Sequence, residues 1–440
     1  LKITIYRLSH QSRLIEALTA AAENGKDVTV LMELRARFDE QNNIEWAQRL
    51  EEAGCRVIYG PDGYKVHSKV CLITRRDKGK IQYFTQIGTG NYNEKTAALY
   101  TDFSLMTANQ EIGADAALFF KNMAIGNLDG EYRRMLVAPH SLKRGILQLI
   151  AGEEEKARSG GKGLIMAKMN SLTDREVIDA LCRASQAGVE IRLLIRGICC
   201  LLPGVAGKTE NITVTSVVGR FLEHSRIYCF GAGAEMKVYL SSADLMTRNT
   251  QRRVELACPV EDRDARGEVT GYLEIMLRDN KKARLLTASG EYSRMPPENG
   301  EMSDAQELLM KQAHITPQDR KVVSAALNRA EQTGAPAAAM ELPDGKIITG
   351  KTSDLLGSSA ALLLNALKEL AGISHETHIL SPAAIEPIQI LKTAYLGSRN
   401  PRLHTDEILI ALSSSTALNP AAQKAMEQIP NLKGCQVHTS

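Results

Sequence analysis

Lys65-Val-His67-Ser-Lys69-Val-Cys-Leu-Ile73, followed after an intervening strand by Gly88-Thr-Gly-Asn91, is the stretch that decides how this chain is read. Its β-branched and apolar run predicts a strand from Val66 to Ile73. On a strand, His67 and Lys69 project to the same face. A neutral imidazole beside an ammonium is a nucleophile next to a charge that holds an anion. The Gly88-Thr-Gly-Asn91 loop offers backbone amides, a hydroxyl and a carboxamide to phosphate oxygens. The second half repeats the pattern with changes, as Glu223-His224-Ser-Arg226-Ile-Tyr-Cys-Phe230 and then Ser241-Ser-Ala-Asp244. His224 again lies two residues before a cation, and Ser-Ser stands where the first half has Gly-Thr-Gly. One histidine in a strand is ordinarily a packed or surface residue. The same constellation twice, in matching contexts, predicts one composite site at a pseudo-two-fold interface.

Working outward, strands and helices alternate in both halves. Ile3–Tyr6, Val28–Leu34, Arg56–Tyr59 and Tyr83–Ile87 are predicted strands, with helices over Arg13–Asn24 and Ile44–Ala53 between them. From about residue 135 the order returns: strand Gly163–Lys168, helix Glu176–Gln186, Gly188, strand Val189–Ile195, then Arg196. Such alternation predicts an α/β layer with a parallel or mixed sheet, and the return of the order is an internal repeat. A turn-rich stretch around Pro296-Pro-Glu-Asn-Gly300 and a helix from Asp304 close this region. Beyond residue 314 the composition turns Ala- and Leu-rich with no echo of the repeat, so the domains are placed at 1–134, 135–314 and 315–440.

The bulk numbers exclude little but point one way. The 440 residues carry 54 Lys+Arg against 51 Asp+Glu, a net charge of +3, so a polyanion ligand needs local clustering of cations and not a global excess. The eight cysteines form no Cys-x-x-Cys pair and give no zinc or dithiol motif. They fit a reducing cytoplasm, and most sit in apolar runs. No apolar run approaches the roughly 18–20 residues of a membrane-spanning helix. Leu1-Lys-Ile-Thr-Ile-Tyr6 is already strand-like, so the chain reads as a fragment lacking an N-terminal part.

His-x-Lys followed by a Gly-rich Asn loop resembles the phospholipase D superfamily signature. Within that superfamily, whole stretches resemble polyphosphate kinases: Lys2-Ile-Thr-Ile-Tyr-Arg7, Glu33-Leu-Arg-Ala-Arg-Phe-Asp-Glu40, Gly88-Thr-Gly-Asn-Tyr-Asn-Glu-Lys-Thr96, Leu99-Tyr-Thr-Asp-Phe-Ser104, Leu194-Ile-Arg-Gly197, Leu222-Glu-His-Ser-Arg226 and Tyr239-Leu-Ser-Ser-Ala-Asp244. The likeness runs in order from residue 1 to about His314. It implies two tandem phospholipase D-like α/β domains in a pseudo-two-fold repeat, followed by a C-terminal α/β fragment. It implies His67 as the phosphorylated histidine and His224 as the second, assisting one. By the same resemblance Tyr100, Arg196 and His224 contact ATP, Arg253 lies near the phosphates, and Arg7 and Arg37 belong to the phosphate and magnesium site.

The chemistry of the residues is coherent beside that likeness. An imidazole attacks a γ-phosphoryl group and forms an N–P bond that transfers onward. Such transfer needs charge neutralisation more than acid–base work, and Arg7, Arg37, Lys69, Arg196, Arg226 and Arg253 supply it, with Asn91 on the loop. Arginine has no acceptor atom, so Arg7 and Arg37 are expected on phosphate oxygens of a Mg²⁺ complex and not on the metal. Asp102 fits a carboxylate that orients an imidazole, and equally a turn or surface Asp. The expected activity is reversible ATP:polyphosphate phosphotransfer with Mg²⁺ as cofactor and ATP/ADP and polyphosphate as partners, without nucleic acid or a transmembrane segment. The location is cytoplasmic, free or membrane-associated. The family's N-terminal domain and helical dimerisation domain, through which it oligomerises, are not represented. The alternatives are a phospholipase D-like phosphodiesterase or nuclease, and an inactive polyphosphate-binding fragment. Arg226 in place of a second Lys, the Tyr100-Thr-Asp102 context and Arg196 favour the kinase.

Residues 315–440 resemble the C-terminal part of a bacterial conserved domain of unknown function. Gly345-Lys-Ile-Ile-Thr-Gly-Lys-Thr352 fits the P-loop pattern, but Pro343-Asp-Gly345 signals a hairpin and Lys346-Ile-Ile-Thr a returning strand. Helices are expected over 321–331, Ser358–Leu370 and Ile385–Tyr395, and a strand over Glu407–Leu412. His375 and His378 lie in a loop context and make no metal motif.

Overall fold

Short apolar runs that end at glycine or polar turn residues become strands, and the amphipathic segments between them become helices. The computed structural model describes all residues except 10, 37–38, 296–300 and 317–318. It divides into two compact units, Leu1–Leu309 and Met310–Ser440.

In the first unit the chain runs β1 (Lys2–Ile5), α1 (Arg13–Glu23), β2 (Thr29–Met32), α2 (Glu40–Glu52), β3 (Arg56–Tyr59), β4 (Lys65–Val66), β5 (Val70–Asp77), β6 (Lys80–Gly88), α3 (Glu94–Ala97), β7 (Tyr100–Thr101), β8 (Ser104–Thr107) and α4 (Gln110–Ala124). It continues through β9 (Leu136–Ala138), α5 (Leu142–Arg158), β10 (Leu164–Met169), α6 (Arg175–Gln186), β11 (Glu190–Ile195), β12 (Ile212–Ser216), β13 (Leu222–Glu223), β14 (Arg226–Phe230), β15 (Lys237–Ser241), α7 (Thr247–Gln251), β16 (Arg253–Pro259), α8 (Arg263–Leu277), β17 (Arg284–Leu286) and β18 (Tyr292–Arg294), with α9 (Ala305–Gln312) last.

Matching local signals build the two halves. Ser12 caps α1 by accepting from the Ile15 amide, and Asp174 caps α6 by accepting from the Val177 amide. Both helices bury an apolar stripe, Ile15 and Leu18 in α1 and Val177, Leu181 and Ala184 in α6. Gly25 (φ +73°) and Gly188 (φ +93°) then turn the chain through the left-handed region toward β2 and β11.

The repeat holds at the level of topology. The first sheet has the order β3-β2-β1-β5-β6-β8, with β1, β2 and β3 parallel and the remaining pairs antiparallel. The second contains β12-β11-β10-β14-β15-β16 in the same order and the same directions, extended by β17 and β18 at one edge and by β4 at the other. The halves also share a core, since Val66, Val70 and Leu72 bury with Val254, Leu256, Cys258 and Phe119 in one cluster. In the second half α5 lays Leu142, Ile146 and Ile150 over the face carrying Ala167, Tyr228 and Phe230. The matching face of the first half, with Ile3, Cys71 and Ile73, lines an open groove of about 810 Å³.

One expected strand is interrupted. Val66–Ile73 splits into β4 and β5, and His67, Ser68 and Lys69 form the link between them. The amides of His67 and Ser68 both donate to the single carbonyl of Val254, at 2.9 and 3.1 Å, which pulls the chain out of a regular ladder.

The second unit contains α10 (Lys321–Thr333), β19 (Ala337–Glu341), β20 (Ile347–Lys351), α11 (Ser358–Leu370), α12 (Pro382–Ile390), α13 (Thr405–Ser415), α14 (Pro420–Met426) and β21 (Gln436–Thr439), with an antiparallel sheet β20-β19-β21. The P-loop-like stretch is the β19–β20 hairpin and its returning strand, and Gly345 (φ +83°) makes the turn. Gly350 packs against the backbone of Leu362, so that backbone cradles no phosphate. Glu407–Leu412, expected as a strand, is the middle of helix α13. Ile408, Ala411 and Leu412 are buried at helical spacing, and Glu407 accepts from the His404 amide to close a capping box.

No helix among the described residues is long and apolar enough to cross a membrane. All eight cysteines are free thiols.

Candidate active site

Each histidine directly follows a two-residue strand, β4 or β13, that pairs with the opposite half. β4 pairs in parallel with the start of β16, placing Lys65 opposite Arg253 and Val66 opposite Val254. β13 pairs in parallel with β7, placing Leu222 opposite Tyr100 and Glu223 opposite Thr101. The amides of His224 and Ser225 both donate to the Thr101 carbonyl, at 3.3 and 3.0 Å, as those of His67 and Ser68 do to Val254. The residue after each shared carbonyl is acidic. Glu255 Oε2 lies 2.9 Å from His67 Nδ1, and Asp102 Oδ1 lies 2.9 Å from His224 Nδ1. Each half therefore supplies the carboxylate that orients the other half's imidazole.

Hydroxyls fix those carboxylates in turn. Ser242 Oγ donates to Glu255 Oε2 at 2.5 Å and Thr89 Oγ1 to Asp102 Oδ1 at 2.7 Å, while Asn249 Nδ2 donates to Glu255 Oε1 at 2.6 Å. Gly90 is required here, because a Cβ at that position would run into the Asp102 carboxylate. Burial alone would raise both acids. The His67 contact and the Lys69 charge hold Glu255 below the usual carboxylate range, and His224, Thr89 and Arg226 do the same for Asp102. With a carboxylate on each Nδ1, the favoured tautomer protonates Nδ1 and leaves the Nε2 lone pair free.

The paired cations pin the histidine turns. Lys69 Nζ donates to the His67 carbonyl, and Arg226 Nη1 donates to the His224 carbonyl at 2.7 Å. Arg226 is also clamped by Asp244, with Nη2 at 3.1 Å from Oδ2. Lys168 reaches the second turn, with Nζ 2.7 Å from Ser225 Oγ and 3.2 Å from Glu223 Oε2. Desolvation dominates the titration of this interior. It pushes His67 well below its usual value and His224 down to about 4, so both rings are neutral at pH 7. Lys69 falls to about 7 and Lys168 to about 8 for the same reason.

Paired imidazoles, crossed carboxylates and buried cations are groups that suit the handling of a phosphoryl-type group, and comparisons with known proteins identify the family. Residues 1–127 match polyphosphate kinase C-terminal domain 1 and residues 135–306 match polyphosphate kinase C-terminal domain 2. Residues 1–306 belong to the polyphosphate kinase family.

The polyphosphate kinase of Bacillus cereus is 48% identical over 314 residues, 71% of this chain and 45% of the relative. That of Thermosynechococcus vestitus is 50% identical over 301 residues, 68% of this chain and 41% of the relative. The crystal structure of polyphosphate kinase from Porphyromonas gingivalis superposes with a TM-score of 0.66 at 41% identity, over 71% of this chain and 48% of that one. The chain thus spans a little under half the length of the curated relatives it matches. Residues 318–440 match the C-terminal part of a domain of unknown function, DUF1846.

In the polyphosphate kinase region the structure brings most of the sequence-chosen residues together. The ring of Tyr100 lies 5.0 Å from that of His224. Arg196 Nε donates to Asn170 Oδ1 and to the Glu223 carbonyl, both at 2.7 Å, and so braces the strand that carries His224. Arg253 sits opposite Lys65, with Nη1 3.8 Å from Glu255 Oε1. Arg7 pairs with Asp39 at 2.5 Å and lies over the ring of Tyr6, which meets His67 edge-on at 4.8 Å. Asn91 follows Gly90 on the loop, and its Oδ1 is buried with no hydrogen-bond partner among the described residues. Arg37 lies outside the described residues.

Sequence reasoning weighed Asp102 without settling it and missed Glu255, Asp244 and Lys168 as site residues. A signal for Asp102 and Glu255 was present. Asp102 and Glu255 each lie thirteen residues after the hydroxyl that binds them, Thr89 and Ser242. Lys168 ends in the site from the interior of a buried strand, where no motif marks it.

Proposed function

We propose that the first unit catalyses reversible transfer of the ATP γ-phosphoryl group to polyphosphate through a phosphohistidine at His67. One asymmetry carries the choice of nucleophile. Among the described residues Nε2 of His67 has no hydrogen-bond partner, whereas Nε2 of His224 lies 3.0 Å from Arg226 Nη1. The free lone pair of His67 attacks the γ-phosphorus, the bond from that phosphorus to the β–γ bridging oxygen breaks, and ADP leaves with the electron pair. A terminal oxygen of polyphosphate then attacks the same phosphorus, the N–P bond breaks, and Nε2 regains its lone pair. Glu255 keeps the ring's proton on Nδ1 and offsets the positive charge that builds on it. Lys69, Arg226 and Arg253 neutralise the transferring oxygens, and Tyr100, Arg196 and His224 hold the nucleotide.

Among the described residues no group of three acidic, His or Cys side chains is arranged to hold a metal. The Mg²⁺ implied by nucleotide chemistry would be held by Asn91, whose buried Oδ1 has no hydrogen-bond partner among the described residues, with Arg7 on the phosphate oxygens, and it would supply further charge neutralisation.

The test is incubation with γ-labelled ATP and Mg²⁺, scored for acid-labile, base-stable label. Folded wild type is expected to take up label and His67→Ala none. Label that persists in His67→Ala but vanishes in His224→Ala would move the nucleophile to the second half. Absence of label in the wild type, with polyphosphate still bound, would make the unit a binding module. Release of nucleotides from DNA or of alcohol from phospholipid would place it with the phosphodiesterases.

A further inference from the structure

A second cationic site lies away from the histidines, at the edge of the second sheet. Lys281, Lys282, Arg284 and Arg294 converge on a cavity of about 510 Å³ that also takes in Ser216. Arg284 and Arg294 are direct cross-strand partners in the β17–β18 pair. Like charges in that register repel, so the ligand-free fold holds a repulsion that an anion would relieve. Among the described residues no carboxylate pairs with Lys282, Arg284 or Arg294, while Lys281 is engaged by Glu307 at 3.2 Å and Asp304 at 3.7 Å.

The scaffold beneath is built in advance. Buried Asp279 accepts from the amides of Lys282 (2.7 Å), Ala283 (2.9 Å) and Ala305 (2.7 Å), and Asn280 ties the same turn to Glu301 and Ser303. The cavity also lies at the same end of the strands as the histidine site. The parallel strands β10 and β11 run into Asn170 and Arg196, beside the His224 turn, and β12 ends at Ser216 in the cavity. The segment leaving Ser216 carries exposed Arg220 and reaches His224 within eight residues. Gln306 pins that segment through the Phe221 amide and carbonyl and the Glu223 carboxylate.

We infer that this cavity is an accessory site for a linear inorganic polyphosphate, holding a distal part of a chain whose end is at the histidines. The inference rests on the phosphotransferase reading. Its ligand is chosen by what the cavity offers. It presents cationic and hydroxyl donors that suit phosphate oxygens, and among the described residues no aromatic ring lines it on which a nucleobase would stack.

The experiment measures binding of long-chain polyphosphate to the full chain across a salt series, for wild type and for Arg284→Gln/Arg294→Gln. The double variant is expected to bind roughly ten- to a hundredfold more weakly at low salt, with a log–log salt slope shallower by about one to two. Tripolyphosphate, too short to span both sites, and labelling of His67 from ATP are expected to be unchanged. The ligand-free variant is expected to melt no lower than wild type. Lys282→Gln, with the Asp279 scaffold intact, should weaken binding in the same direction and serves if the double variant folds poorly. Unchanged affinity and salt slope in both variants would overturn the inference, as would a charge-matched single-stranded oligonucleotide that binds more tightly and is lost to the same degree. Loss of polyphosphate binding in the variants with no label on the wild type would leave this site standing while removing the phosphotransferase reading.

Discussion

His67 is 7% exposed and Glu255 is fully buried, so the ring and its carboxylate face each other in a nearly dry pocket. Burial sets the protonation state, and the consequence is measurable as stability. In the unfolded chain both histidines take up a proton near their usual value of 6.5. In the folded chain His224 stays neutral down to about 4, and His67 is also held well below 6.5. Between those limits the unfolded state binds more protons, so these two groups make stability fall as pH drops from about 6.5 toward 4. Urea unfolding at pH 7 and pH 5 is expected to show that loss, and a smaller one in His67→Asn/His224→Asn. A variant as acid-sensitive as wild type would mean that the rings are protonated in the fold. The same burial lowers Lys69 to about 7.

At the scale of the element, the loop after β6 and the short strands β4 and β13 do the positioning. Gly90→Ala is expected to push the loop off Asp102, cost about 1–3 kcal/mol and slow labelling, because the contacts of Asp102 with Thr89 and His224 depend on that close approach. Gly152→Ala in α5 is the control, since a Cβ there meets nothing within 4 Å. It is expected to stabilise by about 0.5–1 kcal/mol on helix propensity alone. Thermal melts of the two variants would decide whether the loop contact or general glycine loss is responsible. Elements were largely legible in the sequence wherever periodicity and caps agreed, as in α1, α6, β11 and the β19–β20 hairpin. They were misread where an apolar run was short. Glu407–Leu412 has the composition of a strand, and only its packing and the Glu407 cap make it helical. The break at His67 was hidden because β-branched neighbours favour an extended chain, while the Val254 carbonyl that bends it comes from the other half.

At the scale of the whole molecule, the two halves of the first unit share a buried core cluster and are expected to unfold together. β16 buries Val254, Leu256 and Cys258 among residues of the first half. Leu256→Ala is therefore expected to cost about 2–5 kcal/mol and to lower hydrogen-exchange protection in β5 and β16 together. Loss confined to β16 would mean that the halves open separately. The sequence alone determined the repeat, the two His-x-cation motifs, the family and the change of character beyond residue 314, because each is written in local pattern. Only the tertiary structure decided that each histidine is oriented by the carboxylate of the opposite half, that Lys168 reaches the site, and that four cations gather around Ser216. Those relations join residues far apart in the chain. They follow from which strand edge pairs with which, and that is set by burial of a shared core, which no local pattern encodes.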